Sequence, residues 1–414
     1  MYTVRYKSHH DASSALKKRY TADTAPEPYV AETLNQPAKS RRVIYLHVPF
    51  CNKICSFCPF HRPDELRRRE YHGYLIDEIH RISDYPYMQA PVDAVNFGGG
   101  TPTALTPEQM EAVLAELHRC FSIAPGAEIS VESSATELTL DMLEVLKRGG
   151  VNRLSIGVQT FDDEGRRLLG RRGSGEHAAS RVRQALDFGI VNTSIDLIYH
   201  YPGETMEMLE RDLAVIRSLG IAGLSFYSLI LHEKTPLFQK FSEEERRVFV
   251  DLGAEYEMFT VILRTLGESG FAPLELTKLV RDGIDRYDYV KIRHGGGSCI
   301  AIGHGAGGSI ENYLYHNSAA VPLLSEAAPV SRAGRVVQPV YRLLDRLIFE
   351  LQKGSADLSL WSERLRRDLL KEWEPSLERM QREGLLTLEN GRLSLTESGL
   401  FWGNNMIDEW MRLL

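Results

Sequence analysis

Cysteine is scarce in this chain, with five residues among 414. That content excludes a small disulfide-stabilised scaffold, because such folds are dense in cysteine. No run of 18 or more apolar residues occurs, so no membrane-spanning helix is predicted. The first residues are polar and lack the apolar core of a secretory signal. We therefore predict a cytoplasmic protein that does not insert into a membrane.

An excess of positive charge is also missing, since the formal net charge is -7 at pH 7. A globally basic surface, which would favour nucleic acid, is therefore not expected. Hydrophobic residues make up 43% of the chain and charged residues 25%, as in an ordinary globular protein. A chain of this length predicts one large domain with a smaller accessory domain.

Strand-like and helix-like patterns alternate six times between residues 42 and 231. Such alternation predicts parallel strands joined by crossover helices. The fold class is therefore α/β, and the expected architecture is an incomplete (β/α)6 parallel barrel, with a doubly wound open sheet as the second possibility. In both architectures the functional residues lie at the carboxyl ends of the strands.

The remaining chain divides by pattern. A hairpin signal at 384–399, with Asn390-Gly391 as its turn, follows helical patterns and predicts a mostly helical, winged-helix-like C-terminal domain. Its acidic residues favour a packing or lid role over DNA binding. The predicted divisions are an N-terminal arm at 1–40, the partial barrel at 41–240, a helical extension with a glycine-rich loop at 241–335, and the winged-helix-like domain at 336–414.

Three cysteines lie within eight residues, at Cys51, Cys55 and Cys58. Three thiolates can hold three irons of a cubane cluster and leave the fourth iron open for a small molecule. Zinc sites usually use four protein ligands, and His47 or His61 are the nearest candidates for a fourth, so zinc is the alternative.

A glycine-rich turn with the sequence NFGGGTPT follows the second strand pattern, at 96–103. Glycines let the backbone approach a ligand closely and present its N–H groups. The spacing matches neither a Walker loop nor a dinucleotide fingerprint. The turn indicates a functional site because it lies one strand–helix unit after the cysteines.

Six separate stretches, in order, resemble the radical S-adenosylmethionine superfamily, and within it the oxygen-independent coproporphyrinogen III oxidase family and its relatives. The resemblance covers about residues 42–414. The matching stretches are YLHVPFCNKICSFC, FGGGTPT, ISVESS, RLSIGVQTFDDEGRRLLGR, IDLIYHYPGET and LSFYSLI.

The resemblance implies a [4Fe–4S] cluster on Cys51, Cys55 and Cys58, and two bound S-adenosylmethionine molecules. The positions that match contacts to the first molecule are Tyr45, Gly100 and Glu132. The positions that match contacts to the second are Phe57, Thr101, Pro102, Gln159, Arg171, Asp196 and Ile230. These residue types suit the ligand, because a carboxylate accepts from the methionyl amine and an arginine pairs with its carboxylate.

The implied chemistry begins with electron transfer from the reduced cluster, which splits the first S-adenosylmethionine into a 5′-deoxyadenosyl radical. That step needs a low-potential electron donor, such as a flavodoxin or a ferredoxin. In a two-cofactor methyltransferase, the radical removes a methyl hydrogen from the second molecule, and the product carbon radical adds to an sp2 carbon of the substrate. Elimination of S-adenosylhomocysteine then leaves the methylated product.

Two differences from the coproporphyrinogen III oxidase sequence reduce the number of family members that this chain resembles. Pro59 and Phe60 follow the third cysteine, where the oxidase has a fourth cysteine two residues on, and His200 replaces a glycine of the oxidase. The sequences GAGG at 305–308 and FWGNNMIDEW at 401–410 resemble the anaerobic haem-degrading enzymes most.

We therefore expect a methyltransferase of the two-cofactor type that methylates and opens haem under anaerobic conditions and releases its iron. The alternatives are a methyltransferase or cyclopropanase of natural-product biosynthesis, a haem-binding chaperone, and the oxidase itself. The substrate is expected to be a tetrapyrrole or another small molecule. His304 and His200 are the candidate catalytic residues, because a histidine can approach haem iron or transfer a proton.

Overall fold

The computed structural model describes residues 2–7, 10–59, 65–249, 251–281, 283–321 and 332–414. The strands are β1 Arg42–Val48, β2 Val92–Gly99, β3 Ile123–Ser134, β4 Arg153–Gln159, β5 Asn192–Tyr199, β6 Gly223–Ser228, β7 Phe271–Glu275, β8 Lys278–Arg281, β9 Ser298–Ile302, β10 Gly307–Ile310, β11 Tyr313–Asn317, β12 Arg332–Val336, β13 Ser355–Asp357, β14 Leu386–Glu389 and β15 Arg392–Leu395. His61, the alternative zinc ligand, lies outside the described residues.

The helices alternate with the first six strands and then dominate the C-terminal part. They are α1 His10–Arg19, α2 Pro26–Leu34, α3 Glu65–Ser83, α4 Pro107–Cys120, α5 Leu140–Arg148, α6 Asp163–Leu168, α7 Gly175–Asp187, α8 Met206–Leu219, α9 Pro236–Lys240, α10 Glu243–Val248, α11 Leu252–Gly267, α12 Asp288–His294, α13 Pro339–Gln352, α14 Leu358–Leu365, α15 Leu369–Glu372, α16 Glu374–Arg382 and α17 Glu397–Leu413. None of the described helices is long and apolar enough to cross a membrane.

A mostly parallel sheet organises the chain, which confirms the predicted α/β class. Its strand order is β12-β11-β10-β9-β1-β2-β3-β4-β5-β6-β8-β7. Strands β9 and β1 to β6 are parallel, and antiparallel strands extend the sheet at both ends. The six predicted strands all occur, so the carboxyl ends of β1 to β6 lie at one edge, as expected.

The two faces of the parallel strands differ in polarity. Successive side chains of a strand point to opposite faces. On β3, Ile129 and Val131 are buried in the main apolar core, whereas Glu128, Ser130 and Glu132 alternate with them on the other face. The apolar face packs under the crossover helices, and each buried aliphatic side chain stabilises the fold by roughly 1.5–3 kcal/mol. The second face is therefore left as a polar surface inside the protein.

The segment 241–335 is more strand-rich than its mainly helical prediction, and this is a correction. The glycine-rich stretch predicted as a loop contains β9, which pairs with β1, and most of the β10–β11 hairpin. All five residues of β9 are buried. The glycines near this strand resemble a loop in the sequence, but in the structure they allow close packing. For example, a Cβ on Gly308 of β10 would lie 2.6 Å from the Tyr315 ring.

The N-terminal arm predicted at 1–40 contains two helices, α1 and α2. Residues 2–7 lie against α17, where Tyr2 donates to Glu409 at 2.8 Å and Asn405 Oδ1 accepts from the Tyr6 N–H at 2.8 Å. The Arg5 guanidinium forms an ion pair with the buried Glu255 of α11. This N-terminal segment therefore connects the last helix to the carboxyl end of the sheet.

The C-terminal region forms a small separate sheet in the order β13-β15-β14. The predicted hairpin is present: β14 and β15 are antiparallel, and Asn390 (φ 51°) and Gly391 (φ 77°) form the turn between them. Positive φ at both turn residues suits a two-residue hairpin, and asparagine followed by glycine tolerates it best.

Candidate active site

A cavity of about 600 Å³ opens at the carboxyl ends of the parallel strands. Most of the predicted site residues line it, although they come from the ends of six different strands. Those residues are Cys51, Cys55, Cys58, Phe57, Gly100, Thr101, Glu132, Gln159, Arg171, Asp196 and His304. Residues that follow β9 and residues of β5 border the same space, so the sheet must curve around it.

The three cysteines follow β1 directly and lie on the wall of the cavity. Thr101 Oγ1 donates to Cys51 Sγ at 3.3 Å, and Arg171 Nη1 donates to Cys55 Sγ at 3.0 Å. Burial raises the pKa of the Cys51 thiol. Donors of this kind stabilise sulfur that carries negative charge.

The spacing of these thiols does not match a preformed tetrahedral zinc site. Tetrahedral zinc places its sulfur ligands roughly 3.8 Å apart, given Zn–S bonds of about 2.3 Å. Within the part of the chain that the structure describes, Cys51, Cys55 and Cys58 do not form a set with all ligand atoms within 4.8 Å of one another. In a cubane each thiolate binds a different iron, so wider separation is suitable.

The glycines of the turn after β2 are required by close packing. A Cβ on Gly98 would lie 2.7 Å from Glu132 Oε1, and a Cβ on Gly100 would lie 2.6 Å from the Phe50 carbonyl oxygen. Gly99 has a φ of 117°, which side-chain-bearing residues rarely adopt. The backbone of this turn can therefore lie against the cysteine loop, and a ligand can approach it.

Two carboxylates, Glu132 on β3 and Asp196 on β5, face the cavity. Burial raises the pKa of Glu132 to about 7; the hydrogen bond from Asn96 at 3.3 Å opposes this, and the negative charge of Asp196 adds to it. Burial also raises the pKa of Asp196, against the positive charge of Lys278. A ligand that brings a cation or a hydrogen-bond donor would therefore stabilise the charged form of both acids.

A buried ion-pair network lies on the same polar face, towards the amino ends of the strands. Arg153 of β4 bonds both oxygens of Asp285, at 3.0 and 3.1 Å, and Lys278 Nζ lies 3.3 Å from Asp285 Oδ2. Lys278 also donates to Ser194 of β5. The side chains of Arg153, Lys278 and Asp285 are at most 3% exposed. This network therefore forms a charged layer beneath the cavity.

Tyr45 and Pro102 are not among the residues that line the cavity, although Tyr45 contacts its wall through His47 and Pro102 follows the lining residue Thr101. Tyr45 shares a 2.8 Å hydrogen bond with His47 Nδ1, and its ring stacks on Tyr289 at 6.1 Å between centroids. His47 does line the cavity, and burial lowers its pKa to about 4, so the ring is neutral. Sequence reasoning treated His47 only as a zinc candidate. Its position two residues after Tyr45, on the same face of β1, was the available signal.

Ile230 and His200 lie outside this cavity. Ile230, 41% exposed, lines a second cavity of about 420 Å³, which residues 3–5 and Lys7 also border. His200 is buried, stacks on Phe249 at 5.1 Å and lies 3.9 Å from Glu255 Oε2. The positive φ of His200 (54°) turns its side chain away from the cavity, so the structure does not support a direct catalytic role for it.

His304 follows β9 and lines the cavity, as the prediction requires. Its Nδ1 lies 3.2 Å from the Ser318 carbonyl oxygen, which can only accept, so Nδ1 carries the hydrogen. Burial lowers the pKa of this histidine. Its Nε2 is buried and bonds no other residue that the structure describes. The ring is thus neutral, and its buried Nε2 carries the lone pair.

Comparison with known proteins shows which families this chain is similar to. Residues 45–216 match the Radical SAM superfamily, and residues 342–402 match the HemN C-terminal domain. The chain is 29% identical to anaerobilin synthase of Escherichia coli O157:H7 over 391 residues, which cover 92% of this chain and 87% of that protein. It is 26% identical to the heme chaperone HemW of Lactococcus lactis subsp. lactis, with coverages of 89% and 96%.

The structure resembles coproporphyrinogen III oxidase (HemN) from Escherichia coli, with a TM-score of 0.80 at 21% identity over 95% of each chain. This likeness establishes the α/β fold with its small C-terminal domain. The superfamily is defined by a [4Fe–4S] cluster and S-adenosylmethionine, and the cysteines, glycines and carboxylates of the cavity fit both. The chain belongs to the radical S-adenosylmethionine superfamily and, within it, to the HemN-like family.

Proposed function

We propose that this protein uses two S-adenosylmethionine molecules to methylate and open haem under anaerobic conditions, which releases the iron. The observation that carries the proposal is the joining, in one 600 Å³ cavity, of three thiols with carboxylates from β3 and β5. The similarity to anaerobilin synthase over most of both chains supports haem as the substrate. A sheet curved around this cavity supports the incomplete (β/α)6 barrel, and the C-terminal hairpin and helices support a winged-helix-like packing domain.

Different residues of the cavity would bind each of the two S-adenosylmethionine molecules. Glu132 is placed to accept from the methionyl amine of the molecule nearest the cysteines. Gln159 and Asp196 offer acceptors for ribose hydroxyls, and Arg171 offers a guanidinium to a carboxylate. Gln159 has a φ of 75°, an uncommon conformation for a side-chain-bearing residue that is frequent at binding sites.

A [4Fe–4S] cluster, which Cys51, Cys55 and Cys58 would hold, would supply the one-electron reduction that cleaves S-adenosylmethionine to methionine and a 5′-deoxyadenosyl group. The chain itself contributes orientation and the exclusion of water around the reacting atoms. His304, with a neutral ring at the cavity wall, is the group that we assign to proton transfer or iron contact on the tetrapyrrole. The electron would come from a low-potential donor such as a flavodoxin or a ferredoxin.

The direct test is mass spectrometry of an anaerobic reaction that contains reconstituted protein, reductant, S-adenosylmethionine and haem. We expect 5′-deoxyadenosine, S-adenosylhomocysteine and a methylated, iron-free tetrapyrrole to form together. A reaction without reductant serves as the control and is expected to leave haem unchanged. Cleavage of the cofactor with haem of unchanged mass would contradict the proposal. It would favour a methyltransferase of natural-product biosynthesis.

The second candidate function is haem binding and transfer, because the chain is also similar to heme chaperones. A chaperone binds haem without changing its mass, so the same experiment separates the two functions. Formation of a decarboxylated porphyrin from coproporphyrinogen would instead indicate the oxidase.

The raised pKa of Glu132 predicts pH-dependent binding of S-adenosylmethionine. The carboxylate that accepts from the amine is half protonated near pH 7, so affinity is expected to fall by up to about tenfold per pH unit below that value. The Glu132→Gln variant should bind more weakly, with no such pH dependence. Equilibrium binding measured across this range is the test, with the exposed Glu144→Gln variant as control. An equal pH dependence in Glu132→Gln would show that another group titrates.

A further inference from the structure

A second polar pocket, of about 130 Å³, lies among α1, the β10–β11 hairpin, α12 and α13. It shares no lining residue with the cysteine cavity. Basic side chains dominate its wall, and Asp345 is the single carboxylate among the lining residues. The basic residues are Lys17, Arg293, His294, His316 and Arg342.

The two arginines of this pocket bond neutral groups of the described residues. Among the residues that the structure describes, no carboxylate oxygen lies within 4.0 Å of the side-chain nitrogens of Lys17, Arg293 or Arg342. Arg342 donates to the Gly297 carbonyl oxygen and Arg293 to the Tyr289 hydroxyl, each at 2.8 Å. A guanidinium has five N–H groups, so each of these bonds uses only one of the five donors of its arginine.

The cations also act on one another. Burial, followed by the positive charges of Arg335 and Arg293, lowers the pKa of Lys17, although Asp345 opposes this. Burial and the charges of Lys17 and Arg293 lower the pKa of His316. Like charges held together in a concavity create a positive potential, which an anion relieves. The concentration is notable in a chain whose net charge is -7.

Neutral donors complete the pocket. Ser309 Oγ accepts from the Cys299 N–H at 3.2 Å, which leaves its hydroxyl hydrogen for another acceptor. Tyr341 of α13 adds a second hydroxyl to the wall. The volume suits one small group, because pockets that enclose whole organic ligands measure about 300–1,000 Å³.

We propose that this pocket is a binding site for an oxyanion, either a phosphate group or a carboxylate, held by Lys17, Arg293 and Arg342. Since the three residues belong to α1, α12 and α13, the bound anion fastens the N-terminal helix to the helix that begins the C-terminal region. The site does not depend on the identity of the substrate in the cysteine cavity.

The test is thermal unfolding of the full chain in increasing inorganic phosphate, with ionic strength held constant by sodium chloride. A ligand that binds only the folded state raises the unfolding midpoint, and above its dissociation constant the rise follows the logarithm of the ligand concentration. Lys17→Gln is expected to weaken the apparent affinity about tenfold, because it removes one charge-assisted hydrogen bond. Lys17→Arg, which keeps the charge, should retain binding.

Lys18→Gln is the matched control, because Lys18 is exposed on the same helix and does not line the pocket. A parallel series with acetate distinguishes the two sources: a stronger effect of phosphate assigns a phosphoryl ligand, and a stronger effect of acetate assigns a carboxylate. The proposal is overturned if neither anion raises the midpoint above that in sodium chloride of the same ionic strength, or if Lys18→Gln weakens binding as much as Lys17→Gln.

Discussion

Replacing Cys55 with alanine is expected to abolish the iron–sulfur cluster. After anaerobic reconstitution, the variant should hold less than about a tenth of the iron of the unmodified protein and lack its brown absorbance, because two thiolates cannot hold a cubane stably. Cys55 lines the cavity together with Cys51 and Cys58. Iron and sulfide analysis, with the visible absorption spectrum, measures the effect.

Cys120→Ala is the matched control for this experiment. Cys120 ends α4, does not line the cavity, and lies 3.9 Å from Glu116. Its loss should leave the iron content unchanged. A full cluster in the Cys55 variant, or an equal loss in both variants, would remove the assignment of the three cysteines as ligands.

Replacing Asp285 with asparagine is expected to destabilise the protein by about 3–5 kcal/mol, the usual cost of removing one partner of a buried ion pair. The change leaves the buried cations Arg153 and Lys278 without their common carboxylate. Urea-induced unfolding gives the free-energy difference. Asp77→Asn, at an exposed site on α3, is the control and should change stability by less than about 0.5 kcal/mol.

The same network predicts a dependence of stability on pH. Burial by itself raises the pKa of Asp285, but the charges of Arg153 and Lys278 outweigh burial and hold it at about 2. An acid with a depressed pKa in the folded state contributes stability above its unfolded pKa of about 3.9 and loses that contribution as pH falls towards 2. The Asp285→Asn variant should lack this part of the acid-induced loss of stability.

The core of the fold could be predicted from the sequence because its signals are local. Each of β1 to β6 is a short apolar run followed by a helical pattern, and that alternation specifies a parallel sheet. β9 escaped prediction because glycines surround its five buried residues. Those glycines allow close contact between strands, and such contact depends on chain segments that are distant in sequence.

The candidate site could be predicted where a side chain lies within a strand or its first turn, as for Glu132 and Cys51. Beyond the strand end the period-two alternation stops, so sequence position no longer determines direction. His200 illustrates the limit: one left-handed residue after β5 directs the ring towards α11. The partners of Ile230 depend on residues 3–5 of the N-terminal segment, more than 200 positions away, and no local pattern reports such a contact.

The contacts of the N-terminal segment also bear on the order in which the chain folds during synthesis. Tyr2 bonds Glu409, and the Tyr20 hydroxyl bonds the carbonyl oxygen of Leu414, so the earliest residues pair with the latest. On the ribosome, the strands that carry the cysteine cavity emerge well before α17 does. The segment can therefore dock on α17 only after translation has passed residue 409, so these contacts are among the last to form.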